Sequence, residues 1–82
     1  MNDNGRPDCD RQIDITGEIC PMTFVRTRLA LDGMRSGEVL LVRLRGEEPL
    51  RNVPRSAEQL GHREMHREID AEGATLLWLR RA

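Results

Sequence analysis

Ile13-Asp14-Ile15-Thr16-Gly17-Glu18-Ile19-Cys20-Pro21 is the stretch in which the chain changes its hydrophobic period. Ile13 and Ile15 alternate with Asp14 and Thr16, the period-2 pattern of a short strand with one buried face, and Gly17 breaks it. From Pro21 onward the spacing is helical. Met22, Val25 and Leu29 fall on one stripe with Ala30 beside it, and the spacing assigns that stripe to the core. Pro21 suits the first position of a helix, where its missing N–H has no partner to lose, and this makes Cys20 the N-cap residue. Gly33 costs such a helix about 1 kcal/mol relative to alanine. Arg35, Ser36 and Gly37 are expected to end it with a cation and a C-cap glycine.

Outward from this junction the alternation continues. Val39 to Leu44 reads as a central strand with Leu40, Val42 and Leu44 on one face and Arg43 and Arg45 on the other. Gly46-Glu47-Glu48-Pro49 reads as a loop, followed by a short helix with Asn52 as N-cap, Pro54 in its first turn, Val53, Ala57 and Leu60 on one side, and Gly61 at its end. Arg63 to Ile69 alternates again, with Met65 and Ile69 on one side and Glu64, His66 and Glu68 on the other. Glu72-Gly73 makes a turn into a last strand, Thr75 to Leu79. The predicted fold is therefore an α/β two-layer sandwich of order β-α-β-α-β-β. It has a four-stranded mixed sheet, both helices on one face, and an open second face that includes Trp78. Residues 1–11 are polar and aperiodic and are expected to form a disordered leader, with a single domain over 12–82.

Composition narrows the function. The chain has 82 residues, 13 basic against 14 acidic, and a formal charge of −1, which argues against coating nucleic acid or an anionic membrane. With only Phe24 and Trp78 aromatic, it also lacks the stacking platforms of single-strand binders. Every basic residue is arginine, so lysine Schiff-base chemistry is excluded. No apolar run approaches the roughly 20 residues that span a bilayer, the first ten residues lack a signal-peptide core, and two cysteines are too few to staple a secreted domain. A cytoplasmic monomer without cofactor is expected. His62 and His66 would lie roughly 13 Å apart on a strand, so they read as exposed structural histidines and no metal site is expected. Arg43, Arg45, Arg51 and Arg55 lie near Glu47, Glu48 and Glu58 and read as a mixed-charge surface, with docking of a protein as the alternative.

Cys20 carries the chemistry. At a helix N-terminus a thiol feels the positive end of the helix dipole and unpaired backbone N–H groups, both of which favour the thiolate. Arg26 and Arg28 in the next two turns add to that field. Spacing alone leaves open a second reading, in which Cys20 is a small apolar residue packed at a strand-helix junction.

The stretch from Ile13 to Pro21 resembles the opening of the TusA/SirA family of small sulfur carriers. Ser36-Gly37-Glu38-Val39-Leu40, Asn52-Val53-Pro54 and Leu60-Gly61-His62 resemble further landmarks of that family in the same order. The resemblance implies a two-layer sandwich of sulfurtransferase type in which Cys20 accepts sulfane sulfur from a cysteine desulfurase or another persulfide donor. Cys20 would hold the sulfur as a persulfide and pass it to an acceptor protein. It also implies that Pro21 fixes the helix start and that Asp14 and Gly17 shape the loop before it. One position departs from the family pattern, which has a second proline where this chain has Thr23. A threonine hydroxyl there can hydrogen-bond backbone or persulfide, and delivery toward tRNA thiolation does not carry over. Cys9 reads as a bystander, since the pair lacks Cys-x-x-Cys spacing. The alternative to a carrier is a non-catalytic interaction module on the same fold.

Overall fold

The computed structural model describes residues 8–19 and 22–82. Its elements are β1 (Arg11–Asp14), α1 (Met22–Asp32), β2 (Val39–Leu44), α2 (Glu47–Gln59), β3 (Arg63–Ile69) and β4 (Thr75–Arg80). The strands form one sheet in the order β1-β2-β4-β3. β1 runs parallel to β2, while β4 is antiparallel to both β2 and β3. This is the mixed sheet and element order predicted above, and the slab is only 16 Å in its shortest dimension, enough for one sheet and one helical layer.

The core lies between those layers. Leu40, Val42 and Leu44 of β2 and Leu77 and Leu79 of β4 meet Ala30 and Leu31 of α1, Met34 just beyond it, and Val53 and Ala57 of α2. Because successive strand residues alternate faces, Leu41, Leu76 and Trp78 lie on the other side of the sheet. There the Trp78 ring meets His66 edge-on, with centroids 5.0 Å apart. Both sheet edges discourage pairing with another chain: β1 has four residues, and β3 is charged and carries a bulge between Glu64 and His66.

The helices differ from expectation in three respects. First, α1 is turned so that Thr23, Thr27, Ala30 and Leu31 face the sheet, whereas Met22, Val25 and Leu29 are exposed, Leu29 by 63%. Thr27 can be buried because its hydroxyl donates to the Thr23 carbonyl at 2.8 Å, and short side chains let the helix sit close to the sheet. Second, α1 stops at Asp32, with the Gly33 and Met34 amides bonded back to Ala30 and Leu31, and does not reach Gly37. Third, α2 begins at Glu47 rather than at Asn52. Two glutamates favour the positive N-terminus, and Pro49 loses no hydrogen bond in the first turn. Leu60 at the end of α2 is exposed.

Residues 1–7 of the expected leader lie outside the described residues. The sheet already includes Arg11, and Asp10 is bound to it on both sides: its N–H donates to the Val39 carbonyl at 2.8 Å, and its carboxylate accepts the Val39 N–H at 2.9 Å.

The rotation of α1 sets an order of sensitivity. Leu31→Ala, in the core, is expected to cost about 2–5 kcal/mol. Leu29→Ala is expected to change stability by no more than about 0.5 kcal/mol. Urea denaturation of the two variants checks this, and a larger loss for Leu29→Ala would place the apolar stripe in the core after all.

Candidate functional site

The chain leaves the sheet at Asp14, which is paired in register with Arg43 of β2. The next residue, Ile15, is buried in the core, and its N–H donates to the Arg43 carbonyl at 2.9 Å. Asp14 then sets the turn that follows. One carboxylate oxygen accepts both the Thr16 N–H at 2.9 Å and the Thr16 hydroxyl at 2.7 Å. The other oxygen accepts from Arg43 Nη1 at 3.1 Å. A further backbone bond, Glu18 N–H to the Ile15 carbonyl at 3.0 Å, keeps the loop compact up to Ile19. Ile19 and Met22 are exposed, and the Met22 N–H reaches back to the Ile19 carbonyl at 2.7 Å.

Arg43 joins this loop to the far hairpin. Its Nε donates to Asp70 at 2.8 Å and its Nη2 to Glu72, while the second Asp70 oxygen caps the hairpin turn by accepting the Glu72 and Ala74 N–H groups. One guanidinium therefore spans β1, β2 and the turn between β3 and β4. The shifts in acidity follow from these bonds. Asp14 is held below the ordinary carboxylate range by the Thr16 hydroxyl and N–H and then by Arg43. Asp70 is lowered first by Arg43 and then by the turn amides, and Arg43 is raised by both carboxylates. Sequence reading grouped Arg43 with Arg45, Arg51 and Arg55; the structure instead gives it to the sheet face away from the helices, in a network of acids. Nothing in the spacing announces this, because Asp14, Asp70 and Glu72 come from distant parts of the chain.

Cys20 and Pro21 lie outside the described residues, so the site is defined by its frame. Asp14 holds the turn through Thr16. At Gly17 a Cβ would meet nothing within 4 Å, so local sterics do not demand glycine. Thr23 is buried on the sheet-facing side of α1, and its carbonyl accepts the Thr27 hydroxyl. Arg26 lies 3.7 Å from Glu18 in the loop before Cys20, whereas Arg28 is paired with Asp32, one turn toward the other end of the helix. Of the two expected electrostatic supports, only Arg26 is drawn toward the loop.

The other thiol and the histidines have different surroundings. Cys9 is a free, exposed thiol whose pKa is raised by partial burial and by Asp10 and Asp8, which disfavours its thiolate. His62, expected at the surface, is buried; its Nδ1 accepts the Ala82 N–H at 3.0 Å, and burial followed by Arg81 lowers its pKa. His66 packs against Trp78 instead. Among the described residues no group of three His, Cys, Asp or Glu side chains is arranged to hold a metal ion.

The family model described as Sulfurtransferase TusA matches residues 11–81, nearly the whole described chain. The chain belongs to the TusA family. A protein of Archaeoglobus fulgidus provisionally named sulfur carrier protein is 54% identical over 50 residues, which are 61% of this chain and 57% of that protein. A Thermotoga maritima protein with the same provisional name is 35% identical over 52 residues, 63% of this chain and 66% of its own length. The match thus spans somewhat less than two thirds of these relatives. The crystal structure of a SirA-like protein from Desulfitobacterium hafniense superposes with a TM-score of 0.74 at 22% identity, covering 85% of this chain and 95% of that one, and shares the TusA-type fold.

Low pH tests the Arg43 network. Folding lowers the pKa of Asp14 and Asp70, so between the folded values and the ordinary value of about 3.9 the folded chain binds fewer protons than the unfolded one. The stabilisation is complete above that value and is lost as the pH falls through the folded-state pKa values. Thermal melts are expected to show Arg43→Met less stable than the wild type at about pH 7, with the gap closing toward about pH 2. A gap that persists at low pH would show that Arg43 acts through packing rather than charge.

Proposed function

We propose that the protein is a sulfur relay in which Cys20 accepts sulfane sulfur from a cysteine desulfurase or another persulfide donor and passes it to an acceptor protein. The observation that carries this is the TusA family match over residues 11–81, which includes Cys20-Pro21 at the junction of the Asp14 turn and α1. The provisional names of the two relatives support the same reading. The chemistry needs no external oxidant. The Cys20 thiolate attacks the terminal sulfur of a donor persulfide, the donor S–S bond breaks, and the donor leaves as a thiolate while a Cys20 persulfide forms. An acceptor nucleophile then takes that terminal sulfur and releases the Cys20 thiolate. Thiolates are the competent form in both steps. The reading places the protein in the cytoplasm, where thiols are kept reduced; no described helix is long and apolar enough to cross a membrane.

The exposed apolar row supports docking of the donor on α1. Ile19 and Met22 flank Cys20-Pro21 in sequence, and Val25 and Leu29 continue the row along the helix with no partner in the core. Soluble proteins seldom leave such residues in a line without an interaction to cover them. A donor seated there brings its persulfide to Cys20, and the rotation of α1 that overturned the expected core supplies the surface.

Incubation with cysteine and a cysteine desulfurase, followed by peptide mass spectrometry, tests the reading. One reductant-labile sulfur atom is expected on the peptide containing Cys20, retained in Cys9→Ser and absent in Cys20→Ser. Failure to load from desulfurases and from rhodanese-type donors would favour the interaction module. Val25→Glu and Leu29→Glu are expected to slow loading by about tenfold, roughly 1.4 kcal/mol of lost docking, with unchanged circular dichroism. Equal loading rates would remove α1 from the docking face.

A further inference from the structure

At the end of the sheet opposite the Thr16 to Ile19 loop, a cleft of about 320 Å³ opens between the turn before β2 and the turn before β3, lined by Ser36, Gly37, Gly61, Arg63, Arg80 and Arg81 among others. Arg63 and Arg80 are direct cross-strand partners in the β3-β4 ladder. Like charges placed opposite one another destabilise a sheet, so this pairing carries a cost unless an anion lies between them. Among the described residues, the nearby side-chain carboxylates do not supply it. Asp10 accepts the Val39 N–H, Glu38 accepts the Arg35 N–H, Asp32 pairs with Arg28, and both Glu64 oxygens are taken by Arg67. Among the described residues no ion pair reaches Arg63 or Arg80.

The floor of the cleft is fixed. The Gly37 N–H donates to the Arg81 carbonyl at 2.9 Å, and the Arg81 N–H to the Glu38 carbonyl at 2.8 Å. Arg81 Nε is tied to the Leu31 carbonyl at 2.8 Å, and the Ala82 N–H to His62. Arg81 Nη1 donates to the Ala82 main-chain oxygen at 2.8 Å, so this guanidinium is already engaged at the edge of the cleft. His62 beside this floor is kept toward its neutral form, first by burial and then by Arg81, with Asp32 opposing. Gly37 has φ of 88° and lies 3.9 Å from an Arg80 guanidinium nitrogen, measured from the position a Cβ would take, so backbone and cation face the same space.

We infer that this cleft is a binding site for a small doubly charged tetrahedral oxyanion, phosphate or a simple phosphate monoester, held between the forks of Arg63 and Arg80. Guanidinium forks match such anions with paired, charge-assisted hydrogen bonds, and the rigid floor limits the ordering cost. The volume exceeds that of phosphate alone and admits a small organic group. The paucity of aromatic residues and the net charge of −1 disfavour a nucleic-acid backbone as the occupant.

The test titrates inorganic phosphate, sulfate, phenyl phosphate and a length series of oligonucleotides into the full chain, with sodium chloride at matched ionic strength as the control. Melting temperature and amide NMR shifts are the readouts. Saturable stabilisation by the dianions beyond that of chloride is expected, with shifts centred on Gly37, Gly61 and Ala82. Binding is expected to weaken about tenfold or more in Arg63→Gln and in Arg80→Gln and to be unchanged in Cys20→Ser. A tighter response to phenyl phosphate than to phosphate identifies an ester as the better ligand, still within the proposed class. An equal response to chloride, equal binding in the arginine variants, or affinity that grows with oligonucleotide length would overturn the inference. Both arginines are exposed, and circular dichroism of the variants separates lost binding from lost fold.

Discussion

β1 has only four residues and three of them are exposed, yet it delivers the chain to the candidate sulfur site. It is held at both ends by side chains as well as by its ladder. Asp10 closes a reciprocal pair with Val39 at the start, and Asp14 meets Arg43 at the finish, where Ile15 enters the core. The parallel pairing of β1 with β2 is the constraint on which the rest depends. It fixes the sheet edge from which the Thr16 to Ile19 loop departs and so where α1 begins. An edge strand this short gains little from its own apolar burial, and the Arg43 network supplies the tie to the opposite hairpin that the core does not.

The placement of α1 follows from that start and bears on the proposed relay. With Thr23 and Thr27 against the sheet, the helix packs through short side chains and turns Met22, Val25 and Leu29 outward. A relay thiol has to be reached by two different proteins in turn, so an enclosed pocket would hinder it. In the proposed relay, the exposed row of Ile19, Met22, Val25 and Leu29 is the surface a partner would bind. The cleft between Arg63 and Arg80 lies at the other end of the sheet.

Much of the fold was legible in the sequence because its signals are local. The alternation of Ile13 and Ile15, the run from Val39 to Leu44, and the hairpin around Glu72-Gly73 each identify a strand from its own residues, and short connections leave few ways to assemble them. The face of α1 was not legible. Met22, Val25 and Leu29 make one helical stripe and Thr27, Ala30, Leu31 and Met34 another, and hydrophobicity alone prefers the stripe that the structure exposes. Burial of Thr27 depends on a hydrogen bond to a carbonyl one turn earlier, which composition does not reveal. The start of α2 was obscured because Gly46-Glu47-Glu48-Pro49 has the composition of a loop, although acids and proline also suit a first helical turn. At the site, the sequence shows Asp14 two residues before Thr16, the spacing of its side-chain bonds to Thr16, whereas the Arg43 network and the Arg63–Arg80 pair required knowledge of strand register.

In the proposed relay Cys20 carries a transferable sulfur atom. Cyanolysis of the loaded protein, freed of its donor, tests it most directly, because cyanide takes the terminal sulfur of a persulfide as thiocyanate and returns the thiolate. Thiocyanate in stoichiometric yield from the wild type and none from Cys20→Ser is expected of such a relay. No thiocyanate from the wild type, or an equal yield from Cys20→Ser, would contradict it.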